Sequence, residues 1–493
     1  MKRYFLPLLF FLAAVPAFAQ LAGDVLRYSY LQPGGTARYL GAGGAFGALG
    51  AEYSSLSNNP AGLAMFRSNE LVVTPSLKFS RTEAALPGSE ALEDTKSNFG
   101  FDNIGFIFNT TPNSSKWKTF NVGIGLNRLN NYHQSIYYQG DATGSILNGF
   151  FANAQSVVNG GGDETNFDPF SSMLAFDANA IYYQDNVLTS DFVGNETALL
   201  NRTQTLNTSG RMNEMVLSFA GNYDEKLMLG ATIGVPFVNY RLEGEYQESD
   251  PGGGVNGAVP YFSGLTYTEF LKTEGIGFNL KMGVTYRVNQ MLRLGAAFHT
   301  PTYLGLTDTY SNTFTYDYED GGGSVQGEEL LSPDGISDYR LKTPWRAIGS
   351  AAVLFRKYGF LSADVEVVDY SANAFNLTAD VASADNQLVE RELNKEVQRA
   401  YRQTTNIRIG GEAALDNFRL RAGVNLLGKP QAGETGYNLA YTAGAGVRGE
   451  SFYLDLGYRL SKGKGSISPY AGAPVASIVS TNNEVLLTLG FKF

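Results

Sequence analysis

The 493-residue sequence has no cysteine, two histidines and two tryptophans, and only 17% of it is charged, against roughly a quarter in an ordinary globular domain. Without cysteine there is no disulfide framework, thiolate zinc site, iron–sulfur cluster or thiol nucleophile. The two histidines, His133 and His299, neighbour no nucleophile motif. Imidazole-centred acid/base or metal chemistry therefore has little to work with. No catalytic residue, metal site or cofactor is expected, and the sequence does not read as an enzyme. A net charge of −10 lacks the basic footprint of a nucleic-acid binder. Beyond the first twenty residues no run approaches 18 uninterrupted apolar positions, so spanning helices are excluded as well.

What is plentiful is glycine (57), tyrosine (29) and phenylalanine (32). The first residues form a separate unit: Lys2 and Arg3 are followed by an apolar stretch over 4–18, and Ala17-Phe18-Ala19 stands before Gln20. That pattern reads as a signal peptide over 1–19, cleaved on export. The exported remainder is either a secreted β protein or a barrel in an outer membrane.

Alternation marks the strands. Val485, Leu487, Leu489, Phe491 and Phe493 share one face of a strand, with Glu484, Thr488, Gly490 and Lys492 on the other. Phe452, Leu454, Leu456, Tyr458 and Leu460 alternate with Tyr453, Asp455, Gly457, Arg459 and Ser461, and Ile276 through Val284 repeats the pattern against Asn279, Lys281 and Gly283. A soluble sandwich alternates too, so segment length and loop asymmetry must discriminate. Strands are expected near 70–81, 99–109, 119–130, 213–222, 227–243, 274–287, 292–304, 343–355, 359–370, 405–415, 418–427, 439–448, 452–463 and 483–493. Every second gap is tight: 111–118, 223–226, 288–291, 356–358, 416–417 and 449–451. The others are long: 82–98, 131–212, 244–273, 305–342, 371–404, 428–438 and 464–482. Segments of about ten residues with alternating short and long connections suit an even-numbered transmembrane barrel. The fold class is therefore all-β, a transmembrane antiparallel β-barrel of about 14 strands over 70–493, closed because lipid cannot satisfy an open sheet edge.

Residues 20–69 contain no strand pattern. A fourteen-stranded barrel is too wide for side chains alone to fill, so this segment is expected as a plug in the lumen. The run Gly35-Thr36-Ala37-Arg38, through Gly43-Gly44-Ala45-Phe46, to Asn59-Pro60-Ala61-Gly62-Leu63 resembles the N-terminal hatch of the FadL/OmpP1/TodX family of outer-membrane transporters. Further likeness lies in Leu292–Thr302, in Val368-Asp369-Tyr370-Ser371, where Tyr stands in place of the family's Trp, and in Arg408–Glu412 with Leu420–Val424. The loop over 131–212 is where the chain departs from that family.

The resemblance implies passive passage of long-chain fatty acids or related hydrocarbons through a plugged barrel, with sideways release at the third strand, where Gly123 and Gly125 are candidates for a lateral gate. It assigns the hatch turn to Asn58, Asn59, Pro60, Ala61 and Gly62. It also implies a multi-pass bacterial outer-membrane location and, as partners, membrane lipids, a hydrophobic small-molecule ligand and the outer-membrane barrel assembly machinery, with no nucleic acid and the chain a monomer. In the loop over 131–212, Phe170, Met173, Leu174, Phe176 and Ile181 are either an apolar capture surface, with Asp168 and Pro169 opening a short helix, or the loop's own packing. Lys281, Arg293, Arg346, Arg408, Arg419 and Arg421 fall on polar strand faces. They either hold an anionic head group or form lumenal ion pairs that pin the plug. The alternative function is a FadL-like barrel serving as a scaffold for secretion or surface assembly; a water-filled porin is a third reading.

Overall fold

The computed structural model describes residues 23, 25–113, 116–252, 257–320, 323–325, 327–377 and 384–493. The expected signal peptide lies outside them. Fourteen antiparallel strands form the wall: β1 Glu70–Ala85, β2 Leu92–Thr110, β3 Trp117–Asn131, β4 Leu199–Tyr223, β5 Leu227–Ser249, β6 Phe262–Arg287, β7 Leu292–His299, β8 Arg346–Leu354, β9 Gly359–Asp369, β10 Gln403–Leu415, β11 Phe418–Gly428, β12 Tyr437–Arg448, β13 Phe452–Ile467 and β14 Ala476–Lys492. Each strand pairs with the next, and β1 pairs with β14 from Glu70↔Lys492 to Ala85↔Ser477, so the sheet closes.

The six tight connections lie where the sequence pattern puts them and hold two to six residues. At several of them Asp224, Glu225, Arg356 and Asp416 take positive φ. The opposite end differs from expectation. The 82–98 segment is not a long loop, because β1 and β2 continue through most of it. Much of 131–212 is sheet as well: Gln134–Thr143 pairs with Leu199–Thr208 of β4. Likewise 305–342 holds Tyr303–Asp320 paired with Gly335–Lys342, and 371–404 holds a helix. Strands β4 to β6 run 23 to 26 residues, whereas β8 to β12 run 9 to 13. The wall therefore stands higher on one side.

Strand β5 shows why the tall part is hard to see in sequence. In its lower half Leu229 and Ile233 face out and are exposed, while Thr232 faces in. Above Val238 the pattern inverts: Arg241, Glu243, Glu245 and Gln247 face out, and Val238, Tyr240 and Tyr246 are buried inside. The lower half matches a barrel in lipid, apolar outside and polar inside; the upper half is an ordinary sheet in water with its core within. The lower belt runs round the barrel. On β13, Phe452, Leu454, Leu456 and Tyr458 are exposed while Tyr453 and Asp455 are buried; Phe278, Leu280, Leu294, Leu361, Leu420, Leu489 and Phe491 continue the apolar surface.

Residues 25–69 cross the lumen. They form helical turns at 25–29, helix α1 Ala37–Gly41 and two 3-10 turns, Tyr53–Leu56 and Pro60–Met65. Almost every residue over 34–50 is buried. Above them, Tyr28, Leu129, Met212, Val238, Leu304, Leu306, Leu341 and Val368 form an apolar cluster, joined by Leu393 and Val397 of one later helix, Ala384–Ala400. A second cluster caps the tall wall: helices α2 Ile146–Asn159 and α3 Ser172–Asp177 pack Leu147, Phe150 and Leu174 onto Phe262, Leu265, Phe314 and Tyr316.

Candidate functional site

The lumenal segment is held by inward-facing side chains from strands all round the barrel. Ala37 N donates to Thr488 Oγ1 of β14 (2.7 Å), Gly43 N to Thr442 Oγ1 of β12 (3.1 Å) and Gly47 N to Asp364 Oδ2 of β9 (3.1 Å). Thr119 and Asn121 of β3 donate to Ala64 O and Leu63 O, both at 2.6 Å. Asn59 caps the second 3-10 turn through Ala61 N (3.2 Å), with Pro60 at its first position. The same side chain donates to Gly47 O (2.5 Å) and Val284 O (3.2 Å). Asn58 reaches Asp364 (3.4 Å), and its carbonyl accepts from His299 Nε2 (2.9 Å). Asn58 to Gly62 are all buried.

Such close docking requires a wall without side chains. A Cβ on Gly410 would lie 1.9 Å from Ala42 O, on Gly295 2.2 Å from Gly47 O, and on Gly230 2.3 Å from the Pro60 carbonyl carbon. Gly123 and Gly125 belong to this set. Their added Cβ atoms would meet Leu56 and Tyr53, and both residues sit in unbroken ladders with β2 and β4. In this structure they make room for the lumenal segment.

The break in the wall lies farther up. β2 and β3 pair only from Thr110↔Phe120 to Asn103↔Asn127. Over 92–102, β2 pairs with β1 alone, while β3 carries a bulge between Arg128 and Asn130 and turns to follow β4. Side chains bridge the resulting seam: Asn131 Nδ2 donates to Asn98 (3.1 Å), Ser135 Oγ to Asp94 (2.5 Å) and Arg128 to Asp102 (2.9 Å). His133 lies 3.0 Å from Asn98 Nδ2. Burial, with the charges of Lys96, Arg211 and Lys78 beside it, pushes its ring down to about 4. Phe99 and Phe101 on the seam's β2 edge are exposed, with Leu77 and Phe79 of neighbouring β1, so the seam reaches the apolar belt.

Between the lumenal segment and the apolar cluster is a cavity of about 910 Å³. Leu129, Met212 and Ile348 give it apolar walls. Arg128, Lys281, Arg346 and Arg408 bring four cations against the carboxylates Glu214 and Glu366. Lys281 pairs with Glu214, Arg408 with Glu366, and Arg346 with Glu366 at 2.8 Å. Its upper rim is formed by two wall breaks, at Thr300-Pro301-Thr302 and Thr343-Pro344-Trp345, bonded through Thr302 N and Thr343 Oγ1 (3.0 Å).

Of the sequence-predicted cations, Lys281, Arg346 and Arg408 therefore meet at one cavity. Arg421 is tied to Glu412 and Asp455 (2.7 Å each), beside Arg38 of the lumenal segment on Glu412 (3.0 Å). Arg419 donates to Asp416 O (2.6 Å) at the tight-turn end. Arg293 points below the lumenal segment, to Leu49 O (2.6 Å). Leu174 and Ile181 are buried in the cap, and Phe170, Met173 and Phe176 are half-buried around it. They pack within the cap that helices α2 and α3 form over the wall's upper interior. Asp168 accepts from Phe170 N (3.3 Å) ahead of the helix, which begins at Ser172. Sequence reasoning missed Arg128, Glu214 and the seam; the broken alternation in Leu126-Asn127-Arg128-Leu129-Asn130-Asn131 is the one available signal.

No family model and no curated protein sequence matches the chain. Solved structures do. A Pseudomonas aeruginosa FadL homologue superposes over 94% of this chain and 100% of its own, at 15% identity and TM-score 0.56. The Pseudomonas putida toluene transporter TodX does so over 94% and 99%, at 12% identity and TM-score 0.52. The fold is thus of the FadL type.

Proposed function

We propose that this FadL-type barrel sits in a bacterial outer membrane and passes hydrophobic compounds, long-chain fatty acids or related hydrocarbons, inward without an energy source. The observation that carries this reading is an apolar lumenal cluster leading down to a cavity with four cations, above a floor closed by residues 34–65. A water-filled porin has a polar channel throughout; here an apolar chain would meet Leu129, Met212 and Leu304 first, and an anionic head would meet Arg128, Lys281, Arg346 and Arg408 last. The named function of one structural neighbour, toluene transport, agrees with an apolar cargo.

In this reading residues 20–69 are the hatch, with Asn58 to Gly62 as its turn, and cargo leaves sideways. Asn127, Arg128 and Leu129 line the cavity and belong to the strand that turns away from β2, so the seam is the shortest path to lipid. A disulfide between Asp94→Cys and Ser135→Cys bolts the seam. Uptake of radiolabelled oleate into cells carrying that variant should fall at least tenfold when oxidised and recover on reduction. Unchanged uptake in the oxidised form would exclude lateral release. Normal uptake in a deletion strain that loses surface display of other proteins would replace transport with the scaffold.

A further inference from the structure

A second cavity, of about 640 Å³, lies on the other side of the lumenal segment. Its walls come from the tight-turn end of the barrel: Asn222 closes β4, Arg287 closes β6, Arg293 opens β7, and Leu354 and Phe360 flank the β8–β9 turn. Arg38, Leu49 and Met65 of the lumenal segment form the roof, and Arg67 stands at the start of β1.

Four guanidinium groups line this space and, among the described residues, no carboxylate does. The carboxylates that touch these arginines stand behind them: Glu225 bridges Arg67 (2.7 Å) and Arg287 (3.4 Å), and Glu412 holds Arg38 (3.0 Å). Arg293 pairs with no carboxylate among the described residues; its guanidinium donates to Leu49 O (2.6 Å) and contacts Met65 Sδ (3.2 Å). Polar atoms at its edge also lack partners. Nε of Arg287, Nε of Arg293 and both amide atoms of Asn222 are buried without a hydrogen-bond partner among the described residues, and Asn222 is only 1% exposed. Buried polar groups are normally satisfied, and guanidinium forks fit carboxylate and phosphate oxygens two at a time. Leu49, Met65, Leu354 and Phe360 add an apolar wall beside the charges.

We propose that this lower cavity binds the oxyanion head of an amphipathic molecule, a carboxylate or phosphate carrying an alkyl stem, with Arg67, Arg287, Arg293 and the Asn222 amide on the head and Leu49, Met65 and Leu354 on the stem. The site is separate from the upper cavity and does not depend on transport. The shared chemistry has two sources: cargo that has crossed the hatch, or a phospholipid of the adjoining leaflet.

The test uses full-length protein in a neutral detergent, with hexanoate and hexyl phosphate each carrying a terminal diazirine, and the matching diazirine alcohol as the uncharged control. Saturable photolabelling at Leu49, Met65, Leu354 or Phe360 is expected, at least tenfold weaker with the alcohol. Preference for hexanoate points to cargo, and preference for hexyl phosphate to lipid. Arg293→Gln should abolish the labelling and Arg293→Lys retain part of it. Because Arg293 also holds Leu49 O, Arg67→Gln at the exposed rim provides the second variant and should weaken labelling severalfold with the barrel intact on unheated gels. Labelling confined to Leu129 and Met212 of the upper cavity, equal labelling by the alcohol, or none at all would overturn the site.

Discussion

At the scale of single residues, the wall glycines and His133 have the clearest consequences. Gly410 faces Ala42 O so closely that any side chain must push the lumenal segment away; overpacking of this kind costs about 1–3 kcal/mol. Gly410→Leu should therefore raise single-channel conductance in planar bilayers, whereas Gly463→Leu, at a site with nothing within 4 Å, should leave it at the wild-type level. His133 sets a pH dependence. Its ring is depressed to about 4 from an ordinary 6.5, so the folded seam binds fewer protons than the open one. The stabilisation is complete above pH 6.5 and is lost as pH falls toward 4. Hydrogen exchange at amides 94–101, corrected for intrinsic rate, should accelerate over that window, and His133→Asn should flatten the response. Identical acid sensitivity in the variant would assign it to another group.

At the scale of the element, one strand carries two environments, and substitutions should report the boundary. Arg in place of Ile233, in the belt, should destabilise the barrel by about 2–4 kcal/mol in vesicles. Arg in place of Glu243, ten residues on along β5 and outward-facing in the polar part, should stay within roughly 0.5 kcal/mol. Urea titrations of both variants check this contrast. The same boundary explains what sequence could show. Lipid-facing alternation located all fourteen strands and every tight turn, because lipid imposes apolar side chains on a fixed face. Above the belt water imposes nothing so regular: Arg81, Thr95 or Glu245 on an outward face looks like loop, so the tall sheet went unseen. The site was legible in kind and not in detail. Lys281 and Arg408 could be placed inside by parity, but parity cannot tell that Arg293 faces below the lumenal segment and Arg408 above it. Nor does it show that Gly123 and Gly125 clear space for Leu56 and Tyr53.

At the scale of the whole molecule, the interior is stacked: capping helices, apolar cluster, cationic cavity, lumenal segment, arginine-lined mouth. Replacing 146–197 by a short Gly–Ser linker removes the cap but none of the barrel pairings, so the protein should keep its compact mobility on unheated gels. Its newly bared Phe262, Leu265, Phe314 and Tyr316 should then bind a polarity-sensitive dye that the intact protein excludes.

The bond from Ala37 to Thr488 joins residues 451 positions apart, and Arg128 meets Glu484 across 356. The stopper belongs to the earliest-made part of the chain, yet its seat is unfinished until the last stave arrives. The hoop and its cork therefore share their final stave, and the stopper is not fully seated until that strand is in place.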